Sequence, residues 1–279
     1  IDATHFAIAY VEAGTDNDAY LKTYSCASDG TSILEEDSNV FTSTSDGHCG
    51  LCLIDSTHIF VGYRGPSNRG YGQTFSLDGN YDLTFIDSVI FDTISNITRI
   101  NPILWDSTHI LVSYSRDLDT ALIFLEVDGS YNLSIGPQYT STSTFDWNDV
   151  AKIDSSNFVV AYHGANDDGY HRTYSVDGSF AITLTESFEH DTLNSDFARV
   201  VRLDDDHSIV LHERENTALE AKIISWDSSF ENQTEVDQID VYGSSVPGEF
   251  GLVRLDPTHF LTVYPGASSD VFGDVLEIT

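Results

Sequence analysis

A chain of 279 residues with 41% hydrophobic and 12% aromatic side chains holds ample material for a core, which excludes a disordered segment. Its 45 acidic against 12 basic residues leave a formal charge of −33, which repels phosphate backbones and excludes nucleic acid as a partner. The apolar runs are too short for a membrane-spanning helix, so no membrane insertion is expected.

In chain order, one phrase organises everything. Ile1-Asp2-Ala3-Thr4-His5-Phe6 returns as Ile54-Asp55-Ser56-Thr57-His58-Ile59 and Trp105-Asp106-Ser107-Thr108-His109-Ile110. It returns again as Ile153-Asp154-Ser155-Ser156-Asn157-Phe158, Leu203-Asp204-Asp205-Asp206-His207-Ser208 and Leu255-Asp256-Pro257-Thr258-His259-Phe260. The steps between copies are 53, 51, 48, 50 and 52 residues. A period near fifty without helical patterning is the signature of a β-propeller or a related β-array.

The first unit predicts an apolar strand over 6–10, an acidic loop at Asp16-Asn17-Asp18 and a hairpin at Asp29-Gly30. The second opens on Cys49-Gly50-Leu51-Cys52, then has a strand over 59–63 and a hairpin at Asp78-Gly79. The third repeats the strand over 110–114, the acidic loop at Asp117-Leu118-Asp119 and the hairpin at Asp128-Gly129. The fourth is the clearest: a short strand over 150–153, a turn over 154–157, an apolar strand over 158–162 and a polar loop over 163–169. A third strand over 170–176 then reaches the hairpin Asp177-Gly178. These Asp-Gly pairs predict type I′ turns, because Gly reaches positive φ without a steric penalty.

The fifth unit degrades to Ser208-Ile209-Val210-Leu211-His212 and has Asp227-Ser228 where a looser turn is expected. The sixth carries a strand over 260–264 and ends at 271–279, which reads as a third strand. The expected fold is therefore all-β, a six-bladed β-propeller of four-stranded antiparallel blades with incomplete terminal blades. It forms a single domain over 1–279 with units starting near 1, 54, 105, 153, 203 and 255. Without any Met, the chain reads as a processed module cut from a longer protein.

The repeating unit, clearest in 54–83, 105–133 and 153–182, resembles the repeats of uncharacterised β-propeller surface proteins of environmental microbes and viruses. The resemblance covers essentially the whole chain. It implies the fold and leaves activity open, because propellers host many functions.

Three residue classes could carry chemistry. The repeated pairs Asp2/His5, Asp55/His58, Asp106/His109, Asp204/His207 and Asp256/His259, with Asp154 beside Asn157, read as turn fasteners held by local hydrogen bonds. Ligand binding is assigned to Tyr63, Arg64, Tyr114, Tyr162, His163 and Tyr264, because tyrosine ends the apolar strand once per blade and sugars stack on exposed rings. Packing between blades is the competing reading for those rings. Calcium is the one ion expected, at Asp16, Asp18, Asp167 and Asp168, whose loops crowd oxygen donors without the full EF-hand spacing. Cysteines 49 and 52 match CxxC, yet a single pair is not a zinc site and strand geometry disfavours a local disulfide.

An active site would have to break the repeat. The residues that break it are His48, His163, His171, His190 with Asp191, and His212 with Glu213 and Glu215. There is no metalloprotease spacing, nucleophile elbow or cofactor fingerprint. The expected function is a non-catalytic binding or adhesion module at the cell or virion surface, or secreted. It would recognise glycans or another surface protein and be joined to flanking domains, with homo-oligomerisation open. The sequons at Asn96, Asn132 and Asn232 agree with that address. The alternatives are a self-assembling structural subunit and a hydrolase or lyase.

Overall fold

The computed structural model describes residues 1–12, 18–43, 47–94, 96–117, 119–144, 146–193, 195–214, 218–242, 250–265 and 270–278. They form antiparallel sheets in a six-bladed β-propeller. By internal packing the chain divides into two compact units, Ile1–Asp117 with Ala121–Thr140, and Leu118–Thr120 with Ser141–Thr279.

The first unit holds a three-stranded blade of β1 (His5–Val11), β2 (Ala19–Cys26) and β3 (Ile33–Thr42). Blade two contains β4 (Cys49–Asp55), β5 (His58–Arg64), β6 (Gly70–Leu77) and β7 (Leu83–Asp92). Blade three, mostly in the same unit, contains β8 (Ile97–Asp106), β9 (His109–Arg116), β10 (Asp119–Val127) and β11 (Leu133–Thr144). In the second unit, blade four is β12 (Asp146–Lys152), β13 (Asn157–His163), β14 (Gly169–Val176) and β15 (Ile182–Asp191). Blade five is β16 (Ser195–Arg202), β17 (His207–Arg214), β18 (Ala218–Ser225) and β19 (Thr234–Tyr242). The three-stranded blade six is β20 (Gly251–Arg254), β21 (His259–Pro265) and β22 (Val271–Glu277).

The second strands of blades two, three and four are largely apolar and enclosed on both faces. Ile59, Phe60 and Val61 are fully buried, as are Ile110, Leu111 and Val112, and Phe158, Val159 and Val160. Each such side chain contributes about 1.5–3 kcal/mol through removal from water.

The repeated phrase builds a corner that also clasps the next blade. Asp55 Oδ1 accepts the Thr57 amide at 2.8 Å and its hydroxyl at 3.0 Å, and His58 Nδ1 lies 2.9 Å from the same oxygen. Tyr131, from the hairpin of blade three, lays its ring on His58 with centroids 3.3 Å apart. Its hydroxyl donates to Asp55 Oδ2 at 2.7 Å. Tyr81 repeats this on His5 and Asp2, at 3.6 Å and 2.6 Å.

These donors hold both carboxyls well below their usual range. For Asp2 the Tyr81 hydroxyl is the largest cause. For Asp55 partial burial pushes upward, and the Tyr131 hydroxyl, the Thr57 amide and His58 together overcome it. Tyr131→Phe removes one hydrogen bond and keeps the stack, so it is expected to cost about 1 kcal/mol. Asp55→Ala strips the whole corner and should cost about 2 kcal/mol. Urea midpoints of the two variants check the order, and equal costs would mean that the carboxylate serves Tyr131 alone.

The hairpins differ from the type I′ expectation. Gly79, Gly129 and Gly178 are not in the positive-φ region; Tyr81 (φ 65°), Tyr131 (φ 64°) and Phe180 (φ 60°) are. The turn starts at Asp78, whose carbonyl accepts the Tyr81 amide at 3.1 Å and whose side chain caps the Asn80 and Asp82 amides. An L-residue in that conformation costs about 1–2 kcal/mol. The stack and hydrogen bond of the clasp offset it for the two tyrosines. Nor is the Asp227-Ser228 turn looser, since Asp227 makes the same bonds and Phe230 (φ 60°) takes the same position. In these turns the side-chain cap, not glycine, defines the geometry; in blade one Gly30 itself takes the left-handed position, at φ 71°.

Backbone locks recur alongside the clasps. Thr23, Thr74 and Thr173 donate their hydroxyls to the carbonyls of Tyr81, Tyr131 and Phe230 at 3.0, 2.8 and 2.7 Å. Asp37, Asp87 and Glu186 accept the amides of Leu83, Leu133 and Gln233 at 2.7, 2.8 and 2.9 Å. Each joins one blade to the next.

The three thiols are not joined by a disulfide, and burial pushes that of Cys52 up to about 12. Among the described residues no helix is long and apolar enough to cross a membrane.

Candidate functional site

The once-per-blade tyrosines do not form a sugar platform. Tyr63, Tyr114, Tyr162 and Tyr264 are 0–3% exposed, with rings packed between strands. Tyr63 meets Phe41 at 4.9 Å and receives the Gln73 amide, while Tyr114 meets Phe91 at 5.2 Å and donates to Asp92. Arg64 reaches the Ile97 carbonyl at 3.4 Å. A tyrosine ending a strand apolar on both faces is itself enclosed, which favours packing over ligand stacking.

The acidic loops fare differently from one another. Asp16 lies outside the described residues, and Asp18 is half-buried with its carbonyl accepting the Glu12 amide. Asp167 is exposed and pairs with His163 Nε2 at 3.1 Å, whereas Asp168 is buried. The described His, Cys, Asp and Glu clusters with metal-ligand spacing lie elsewhere.

One of these loops, at 164–168, shares its backbone with the non-acidic loop at 65–69. Gly65, Ser67 and Arg69 have φ/ψ of −108/−156°, 63/24° and −91/159°; Gly164, Asn166 and Asp168 have −113/−156°, 63/18° and −84/151°. The same bonds close both, from Gly65 N to the Arg69 carbonyl and from Gly164 N to the Asp168 carbonyl, at 3.0 and 2.9 Å. On this common frame the exposed residues differ: Pro66, Ser67 and Asn68 in one, Ala165, Asn166 and Asp167 in the other.

The repeat breaks most deeply between blades four and five. Where Phe41 and Tyr63 pack together, His190 and His212 stand edge to face at 4.9 Å. Gln73 donates to the Phe41 carbonyl, and Lys222 donates likewise to the His190 carbonyl at 2.7 Å. Tyr71, opposite Tyr63 in register, is replaced by Glu220 opposite His212. Glu220 and Lys222 share the face of β18 that meets Asp191, because side chains alternate along a strand.

This cluster is enclosed: His212 is 0% exposed, Glu220 3% and Asp191 7%. His212 Nδ1 lies 3.0 Å from Ser195 Oγ, while its Nε2 lies 3.7 Å from Asp191 Oδ2 and 4.0 Å from Glu220 Oε2. Those three facing atoms have no hydrogen-bond partner, nor do the two ring nitrogens of His190. Lys222 Nζ stands 3.5 Å from Asp191 and 3.2 Å from Glu235, and Arg214 bonds Glu220 Oε1 at 2.9 Å. Burial is the main cause that pushes His212 down to about 4 and His190 well below its ordinary value, so both rings are neutral at pH 7.

The sequence marked His190, Asp191 and His212 as off-repeat but missed Ser195, Glu220 and Lys222. Aligning Glu220 with Tyr71 and Tyr170 was the available signal. Glu213 is buried next to His212 on the opposite face of its strand, and His48 gives its carbonyl to the Arg64 amide. His171 is packed apart, between Gln233 and Ser208, and Glu215 lies outside the described residues.

No family model matches the chain, and no curated protein matches it. Solved structures do share its fold. A protein of unknown function from Dyadobacter fermentans is 15% identical with a TM-score of 0.57, covering 96% of this chain and 87% of its own. A triple arginine-to-alanine variant of AofleA from Arthrobotrys oligospora is 9% identical with a TM-score of 0.56, over 82% and 67%. A proposed 6-phosphogluconolactonase from Bacteroides fragilis is 8% identical with a TM-score of 0.53, over 99% and 95%. At these identities the likeness defines a class by fold, the β-propellers, and nothing narrower; the six blades are counted from this chain's own sheets.

Proposed function

We propose that this chain is a non-catalytic surface-binding propeller that recognises glycans through the loops joining the second and third strands of its blades. The observation that carries this reading is the shared loop frame at 65–69 and 164–168. A rigid backbone displaying different polar side chains in different blades is how a scaffold varies recognition without altering its fold. Holding Ser67, Asn68, Asn166 and Asp167 at positive φ costs about 1–3 kcal/mol each, and such strain concentrates at binding sites. The amide of Asn166 and the carboxylate of Asp167 suit paired hydroxyl groups. A formal net charge of −33 disfavours sulfated and sialylated ligands and selects neutral or amino sugars.

A glycan array probed with the purified chain tests this. Binding to neutral glycans is expected, weakened at least tenfold in Asn166→Ala/Asp167→Ala with an unchanged melting temperature. Silence across the array, or binding that ignores the loop variant, would overturn the proposal. Silence together with self-association on sizing would identify a structural subunit instead.

A further inference from the structure

We infer that Asp191, His212 and Glu220 form a binding site for a divalent transition-metal ion of the zinc type, which ties blade four to blade five. The three ligand atoms lie within 4.8 Å of one another, all are buried, and none has a hydrogen-bond partner. An unmet carboxylate oxygen or imidazole nitrogen inside a protein costs several times what a satisfied one does. Here two such atoms, His212 Nε2 and Glu220 Oε2, converge with Asp191 Oδ2, which lacks a hydrogen bond and is met only at ion-pair distance by Lys222 and Arg214. That convergence is costly without a cation and favourable with one.

The ligand geometry is close to what zinc needs. Zinc sits about 2.0–2.2 Å from imidazole nitrogen or carboxylate oxygen, so two tetrahedral ligands stand about 3.4 Å apart. The observed 3.7 and 4.0 Å require the side chains to close by a few tenths of an ångström. The second shell is in place as well. Ser195 Oγ engages His212 Nδ1 at 3.0 Å, which lets Nδ1 carry the proton and leaves the Nε2 lone pair facing the two carboxylates. Arg214 holds the other oxygen of Glu220, and the Leu193 amide holds Asp191 Oδ1 at 2.9 Å. Each carboxylate thus has one oxygen anchored by a hydrogen bond and one turned toward His212; the Asp191 one, Oδ2, is also faced by Lys222 Nζ at 3.5 Å and Arg214 Nε at 3.9 Å, which an incoming ion would displace toward Glu235 and Glu220.

The charges agree. Asp191, Glu220 and Glu235 against Lys222 and Arg214 leave a net negative pocket that a dication would offset. His190 packs edge to face against the ring of His212 but is not part of the ligand-spaced group. Mixed imidazole and carboxylate donors suit zinc and its first-row neighbours better than calcium, which prefers oxygen alone. The buried site is separate from the acidic loops assigned to calcium above and does not depend on the glycan reading.

Among the described residues one competitor lies on the surface: Asp204, Asp206 and His207 also have ligand spacing, but they are exposed or half-buried. The experiment therefore separates the two. Chelator-treated protein is titrated with Zn²⁺ by calorimetry, and Co²⁺ is added in parallel as a spectroscopic stand-in. One tight equivalent is expected, with a visible Co²⁺ band and a melting temperature raised by about 4 °C or more in excess zinc. Glu220→Gln and Asp191→Asn keep side-chain volume and should each weaken that equivalent at least tenfold. His207→Ala should leave it intact. Absence of a tight equivalent in the wild-type protein, its persistence in both isosteric variants, or its loss in His207→Ala would overturn the assignment. The wild-type titration stands even if a variant fails to fold.

Discussion

Acidification from pH 7 to pH 5 is expected to withdraw about 2 kcal/mol of stability through His171 alone. The ring is fully enclosed, with Nδ1 2.5 Å from Gln233 Oε1, Nε2 2.9 Å from Ser208 Oγ, and Trp226 stacked 5.9 Å away. Burial pushes its pKa down to about 4, and the Gln233 contact only partly opposes this. In the unfolded chain the same ring titrates near 6.5. Between those values the unfolded state binds a proton that the folded state refuses, so stability is complete above about pH 6.5 and falls as the pH drops toward 4.

Three other effects act in the same range or near it. The buried His190 and His212, also pushed down by burial, withdraw stability in the same direction as His171. Relief of the −33 charge on acidification works in the opposite direction. The depressed fastener carboxyls lose their contribution only below the ordinary carboxylate range, outside this window. All three are shared by a His171→Gln variant, which keeps polar atoms but does not titrate. Denaturant-derived stabilities at pH 7, 6 and 5 should therefore show a shallower slope for the variant by up to about 1.4 kcal/mol per pH unit. Parallel slopes would show that His171 is not held neutral.

Gly50→Ala is expected to cost about 3 kcal/mol or more, because the added methyl has nowhere to go. A Cβ at Gly50 would stand 2.4 Å from the Ile100 carbonyl oxygen and 2.7 Å from Pro102 Cδ, both on β8 of the adjoining blade. The oxygen is backbone, so relief requires β8 to move away from β4. Gly79→Ala meets nothing within 4 Å and should change stability by less than about 0.5 kcal/mol. On thermal melts the first should fall by roughly 6 °C or more and the second should hold. A loss below about 1 kcal/mol at Gly50 would mean that blades two and three are not in such close contact.

Much of this architecture could be read from the chain. The Asp-Thr-His corner is local, within four residues, and its bonds follow from side chains reaching their own backbone. The apolar strands at the same offset in each unit announce sheets covered on both faces. What escaped was non-local. Tyr81 and Tyr131 close the corners of Asp2 and Asp55 from more than seventy residues away, and no local rule connects them. The Asp-Gly pairs suggested glycine-driven turns; Gly30 does take the left-handed position, but in blades two to four it fell to the aromatic two residues after the glycine, and for Tyr81 and Tyr131 the clasp offsets the strain. The tyrosines assigned to ligand are core for the same reason. Their sequence position marks a strand end, whereas only packing shows which strand ends are enclosed.

By itself, then, the sequence determined the blade: its strand order, its corner, its six-fold count and its acidic surface. All of these depend on residues close in the chain or on composition. The tertiary structure alone decided how neighbouring blades are fastened and where the repeat gives way to chemistry. His190 and His212 stood out as irregular, but Glu220 and Lys222 looked like ordinary polar positions of a strand. Only the cross-strand register and the face shared with Asp191 bring them to one buried point. Polar side chains acquire such meaning from the dielectric and the partners around them, and both are set by packing rather than by order along the chain.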